Sequence, residues 1–181
     1  DPSICRKGDD YYIVCSSFAI NPGVPIFHSK DLVNWRQIGH VLDRPSQLKV
    51  EDTGISAGIY APTIRYNPHN DTFYMITTQF AGGIGNMVVK TKDPAEGWSD
   101  PIILHFAGID PDLFFDDDGK AYIVHNDAPE KALYEGHRVI KIWEYNTEKD
   151  QIVEGSDQVV VNGGVDLSQK PIWIEAPHLY K

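Results

Sequence analysis

Asp110-Pro111-Asp112-Leu113-Phe114, the turn Asp116-Asp117-Asp118-Gly119 and the apolar run Ala121-Tyr122-Ile123-Val124 read as a strand, a tight turn and a returning strand. The same order surrounds Asp1-Pro2-Ser3-Ile4-Cys5 with Tyr11-Tyr12-Ile13-Val14. It recurs around Ala61-Pro62-Thr63-Ile64-Arg65 with Phe73-Tyr74-Met75-Ile76. Glu175-Ala176-Pro177-His178-Leu179 opens a fourth copy just before Lys181. The prolines at 2, 62, 111 and 177 therefore repeat at about 50 to 65 residues. A repeat of that size, with several strands in each unit, is the mark of a propeller blade.

Working outward from the hairpins, each unit gains two further strands. In the first they are Pro25–Ser29 and Arg36–Leu42, joined by the compact turn Lys30-Asp31-Leu32-Val33-Asn34-Trp35. In the second they are Asn86–Thr91 and Pro101–His105, and Lys92-Asp93…Trp98 falls where Lys30-Asp31…Trp35 fell. In the third they are Arg138–Tyr145 and Gln158–Asn162. Four short strands in succession make an antiparallel meander. No amphipathic helix of useful length interrupts them, so the fold class is all-β. The blades are expected at about 1–45, 60–106 and 109–163, with the start of a fourth at about 171–181. The chain begins and ends inside the repeated motif, so it is expected to be a partial propeller domain.

The 181 residues are 41% hydrophobic, enough for one ordinary core. No apolar run reaches the length of a membrane span, and no signal peptide is visible. A net charge of −10 argues against nucleic acid, which calls for a basic face. A neutral ligand such as a sugar makes no such demand. Cys5 and Cys15 lie in or beside neighbouring strands of the first hairpin, but not opposite one another. They read as small apolar residues, and no disulfide is required. The compartment stays open, with a secreted or periplasmic location preferred to the cytoplasm. The oligomeric state is left open as well.

Three of the four copies carry a carboxylate at or just before the proline: Asp1, Asp110 and Glu175. The second copy has Tyr60-Ala61 instead. The innermost strand of a propeller blade lines the central channel, so equivalent positions of successive blades ring one pocket. Carboxylates gathered there repel one another and raise at least one pKa. Glycoside hydrolysis uses this set of parts: a protonated acid for the leaving oxygen and an ionised base for water. A third carboxylate can orient and tune the acid. Tyr60 at the rim is an aromatic candidate for stacking on a sugar, with Phe18 and Asn126 as further substrate contacts.

Asp1-Pro2-Ser3-Ile4, Lys30-Asp31-Leu32-Val33-Asn34-Trp35, Tyr60-Ala61-Pro62, Gly108-Ile109-Asp110-Pro111 and Glu175-Ala176-Pro177-His178-Leu179-Tyr180-Lys181 together resemble glycoside hydrolase family 43. The resemblance runs along essentially the whole chain and in order. It implies a five-bladed propeller enzyme of β-xylosidase or α-L-arabinofuranosidase type acting on xylo- or arabino-oligosaccharides. Glu135-Gly136-His137-Arg138 and Lys170-Pro171-Ile172-Trp173-Ile174-Glu175 look most like the β-xylosidase branch. The resemblance gives Asp1 the role of general base, Asp110 that of the carboxylate orienting and tuning the acid, and Glu175 that of general acid. The family inverts the anomeric centre, which calls for base and acid roughly 6.5–9.5 Å apart. No cofactor is required, and a structural calcium at the propeller centre would come from further blades. A partial propeller alone is expected to have little activity.

Endo-arabinanase is the nearest rival, and the loops 16–24, 43–60 and 126–137 would separate a closed pocket from an open groove. A non-catalytic carbohydrate-binding propeller is the rival from another class, and the three carboxylates argue against it. Asp116–Gly119 lacks the ligand pattern of a calcium loop and reads as a hairpin turn. The seven histidines show no paired metal spacing.

Overall fold

The computed structural model describes residues 1–51 and 53–181; Asp52, in the 43–60 connection, lies outside the described residues. The chain divides into two compact units, Asp1–Leu104 and His105–Lys181.

The first unit holds two four-stranded antiparallel sheets, each in simple sequential order. One contains β1 (Ser3–Lys7), β2 (Asp10–Val14), β3 (Gly23–Ser29) and β4 (Arg36–Leu42). The other contains β5 (Ile59–Asn67), β6 (Thr72–Gln79), β7 (Gly85–Thr91) and β8 (Ile102–Leu104). All eight residues of β6 are buried, so this strand is covered on both faces. Val14, Ile26, Ile59, Ile64, Phe73, Met75, Met87, Val89 and Trp98 form one apolar cluster between the two sheets. Side-chain bonds join the sheets as well. Ile64 N donates to the buried Ser3 Oγ at 3.1 Å, and Lys7 pairs with Asp71.

The second unit holds a sheet of five strands. They are β9 (Ile109–Phe115), β10 (Ala121–Asp127), β11 (Val139–Asn146), β12 (Gln151–Ile152) and β13 (Gln158–Asn162). β9, β10, β11 and β12 follow one another across the sheet, and β13 also pairs with β11. The short β12 is not apparent in the sequence. Leu113, Ala121, Ile123, Val124, Val139, Ile140 and Tyr145 are the buried apolar residues of this sheet. After β13 the chain leaves the sheet, makes a one-turn 3₁₀ helix at Leu167–Gln169 and runs without regular structure to Lys181.

Two of the X-Pro pairs that mark the repeat share one structural meaning. In β5, Tyr60 faces Thr78 and Thr63 faces Ile76, so Ala61 and Pro62 together oppose Thr77. In β9, Ile109 faces Asn126 and Asp112 faces Val124, so Asp110 and Pro111 together oppose His125. Each pair is a β-bulge, where proline's missing N–H costs no ladder bond and the strand turns to re-aim a side chain. The residue before proline is left-handed, with φ 39° at Ala61, 54° at Asp110 and 50° at Ala176. By that measure Ala176 corresponds to Asp110, and Glu175 corresponds to Ile109 and Tyr60, one residue earlier.

The cysteines are both free, and Cys5 faces Tyr12 across the hairpin. Asp116–Gly119 is a turn closed by Gly119 N donating to the Asp116 carbonyl at 3.0 Å. Trp98 is buried in the core, whereas Trp35 is only partly covered and donates from Nε1 to the Leu32 carbonyl.

Candidate active site

In the first unit Asp1 is exposed, and its Oδ2 accepts a hydrogen bond from Ser16 Oγ at 2.9 Å. Ser16 Oγ in turn accepts from Ala61 N at 3.0 Å. One hydroxyl therefore ties the carboxylate of the first repeat to the bulge of the second. Tyr60 stands next to that bulge. Its ring meets Phe18 edge-on at 5.2 Å and Phe80 edge-on at 4.9 Å. Phe18 is fixed from behind, because its N–H and carbonyl both bond to the backbone of Ile59. The structure thus brings Phe18 and Tyr60 together and adds two residues that the sequence reading missed, Ser16 and Phe80. Phe80 had a weak signal: a lone aromatic between the end of β6 and the glycine-rich run 82–85. Ser16 had none.

The second unit contains Asp110, Glu175 and Asn126. Asp110, on the bulge of β9, accepts at Oδ2 from Ala176 N at 3.2 Å. That N–H belongs to the peptide that follows Glu175. Burial pushes the Asp110 carboxyl above the ordinary aspartate range, and the charge of Glu175 pushes it the same way. The bond from Ala176 and the proximity of His178 offset part of this. Asp112, two residues on and fully buried, accepts at Oδ2 from Leu179 N at 3.1 Å and lies 3.4 Å from His178 Nδ1. Lys181 closes the series on Asp116 and Asp117. Alternate carboxylates of β9 and its turn thus hold the segment 176–181 by backbone N–H groups and a terminal lysine.

Asn126, expected to touch substrate, is fully buried near the end of β10, and its Nδ2 donates to the carbonyl of Ile174. Behind it, Trp143 Nε1 donates to His125 Nε2 at 3.0 Å. An indole only donates, so His125 accepts at Nε2 and its other ring nitrogen carries the proton toward the Asn126 carbonyl, 3.2 Å away. Burial lowers the His125 pKa, in keeping with this neutral form. Upstream of Glu175, Trp173 N donates to the Gly136 carbonyl at 2.9 Å, and the Arg138 guanidinium lies 3.9 Å above the Trp173 ring. The stretches 135–138 and 170–175, both singled out in the sequence, are therefore partners.

Among the described residues, no group of three or more His, Cys, Asp or Glu is placed to hold a metal ion. None of their helices is long and apolar enough to cross a membrane.

Repeated four-stranded antiparallel meanders in sequential order are the blades of a propeller. The chain belongs to glycosyl hydrolases family 43, whose model matches residues 1–181. It is a partial copy of the family's five-bladed propeller. The xylosidase/arabinosidase of Butyrivibrio fibrisolvens is 51% identical over 185 residues, covering 100% of this chain and 34% of the relative. Among solved structures, a GH43_12 protein retrieved from a capybara gut metagenome is 72% identical with a TM-score of 0.97, covering 99% of this chain and 34% of its own. The xylan β-1,4-xylosidase from Bacillus halodurans C-125 is 38% identical with a TM-score of 0.83, covering 100% and 34%. The chain spans about a third of the length of the relatives it matches.

Proposed function

We propose that the protein is an inverting exo-glycosidase that removes xylose or arabinose from plant-type oligosaccharides or polysaccharides. The observation that carries this reading is the pairing of two carboxylates in the second unit. Asp110 is bonded to the peptide beside Glu175, and its carboxyl is raised by burial and by the charge of Glu175. A part-buried carboxyl bonded to the peptide beside Glu175 suits a group that orients the acid.

In this reading Glu175 protonates the glycosidic oxygen as the bond from that oxygen to the anomeric carbon breaks. Asp1 takes a proton from a water attacking the same carbon from the opposite face. Glu175 is left ionised, Asp1 is left protonated, and the sugar leaves with its anomeric configuration inverted. The hydrogen bond from Ser16 holds the Asp1 carboxylate in place for that role. Asp110 orients Glu175 and tunes it. Tyr60, with Phe18, offers an apolar wall to the sugar ring. The names of the relatives support both pentoses and do not choose between them.

The same reading takes 1–45, 60–106 and 109–163 as three blades and 171–181 as the opening strand of a fourth. It requires no cofactor, and it assigns any structural calcium to blades outside residues 1–181.

The test uses the complete protein with aryl β-xylosides and aryl α-L-arabinofuranosides. At least one should be hydrolysed, and NMR should show the inverted anomer first. Glu175→Ala should lose about 10²–10⁴-fold on natural oligosaccharides. It should lose far less on substrates with good leaving groups, which need little protonation. Equal loss on both would remove Glu175 from the role of acid.

A further inference from the structure

The direction of a side chain follows from the two peptide planes that flank its Cα. For Glu175 both planes are tied. The peptide after it is held through Ala176 N, which donates to Asp110 Oδ2 at 3.2 Å. The peptide before it is held through the Ile174 carbonyl, which accepts from Asn126 Nδ2. Asp110 and Asn126 come from neighbouring strands, β9 and β10, with Asn126 facing Ile109 across the ladder. They therefore form one rigid clamp around a residue that lies in no strand.

Asn126 is an expensive choice for this place unless the bond matters. It is fully buried, and its Oδ1 has no hydrogen-bond partner among the described residues. An unmet buried acceptor is costly, and an apolar side chain of the same size would avoid that cost. The ring of His125 and the Trp143 indole behind it further fix the Asn126 backbone. We propose that Asn126 is a positioning residue for the general acid: its amide nitrogen sets the peptide before Glu175 and so aims the Glu175 carboxyl. This rests on the reading of Glu175 as the acid.

The experiment compares Asn126→Ala and Asn126→Leu with the wild type in the complete protein. The probes are 2,4-dinitrophenyl and methyl β-xylosides, or the matching arabinofuranosides where those are the ones cleaved. Misaimed acid costs rate only where protonation is needed. The expected result is a kcat loss of about 10-fold or more on the methyl glycoside and under about 3-fold on the dinitrophenyl glycoside. KM should stay within about 2-fold on both, and the high-pH limb of kcat/KM should move. A merely structural role would lower both substrates alike and leave that limb in place. Equal losses, no loss, or failure of both variants to fold would each overturn the proposal. Glu175→Ala run beside them separates the two readings. If its loss also ignores the leaving group, or if the wild type cleaves none of these glycosides, the acid assignment falls and Asn126 falls with it. If Glu175→Ala behaves as an acid variant and the Asn126 variants do not, only the positioning role is lost.

Discussion

Gly108→Ala should damage stability and catalysis together. Gly108 has φ +95°, and a Cβ built there would lie 2.0 Å from the Asn126 carbonyl oxygen and 2.7 Å from His125 Nδ1. A left-handed conformation costs a residue with a Cβ about 1–2 kcal/mol. Forcing a methyl into a packed site adds roughly 1–3 kcal/mol. Neither neighbour is a flexible side-chain end, since one is backbone and the other a ring held by Trp143. The sum is about 2–5 kcal/mol, or a fall in Tm of roughly 4–20 °C in a domain of about 150–250 residues. Gly155→Ala supplies the control: φ there is +76°, with nothing within 4 Å of the added Cβ. It carries the conformational cost alone, about 1–2 kcal/mol. Thermal unfolding of the two variants of the complete protein separates the terms. Activity on an unactivated glycoside should fall in Gly108→Ala beyond what its folded fraction explains, because the displaced Asn126 no longer holds Ile174. Equal Tm losses in the two variants would refute the close approach and the reasoning built on it.

Two further outcomes follow from the carboxylate and thiol environments. Burial, then the charge of Glu175, raises the Asp110 carboxyl. Its protonated form therefore adds stability that is fully present below the unfolded-state value near 3.8 and is lost as pH rises through the folded value. Asp110→Asn keeps an acceptor for Ala176 N and a side chain tolerant of positive φ, and it should raise the unfolding free energy at pH 7 by up to about 1 kcal/mol, kept small by solvent screening and read as a rise in Tm. That gain should vanish in unfolding scans below about pH 4, and a gain that persists there would contradict the assignment. Separately, burial pushes the Cys5 thiol up to about 12. Iodoacetamide at pH 8 followed by peptide mapping should label Cys15 and spare Cys5 in the native protein, with both labelled after denaturation.

The strands were legible because each obeys a local rule. Alternating or continuous apolar runs of five to eight residues lie between Gly-, Asn- and Asp-rich turns, and the X-Pro pairs recur in register with them. The repeat also marked the carboxylates, because Asp1, Asp110 and Glu175 each stand at or just before a recurring proline, which in β9 is the trace of a bulge. The meaning of that trace needed the backbone. The sequence alone aligned Asp110 with Glu175, whereas the left-handed residues pair Asp110 with Ala176 and put Glu175 at the place of Tyr60. What stayed hidden was tertiary. Nothing in Val124-His125-Asn126-Asp127 says that the asparagine turns inward to hold Ile174. Nothing in Glu135-Gly136-His137-Arg138 says that the guanidinium lies on Trp173, 35 residues on. The segment 170–181 has no strand period because it joins no ladder, and two of its N–H groups, those of Ala176 and Leu179, are met by Asp110 and Asp112. A segment held by side chains can carry its glutamate at an angle that no strand position offers. The same arrangement makes that angle depend on each of the few side chains that hold it.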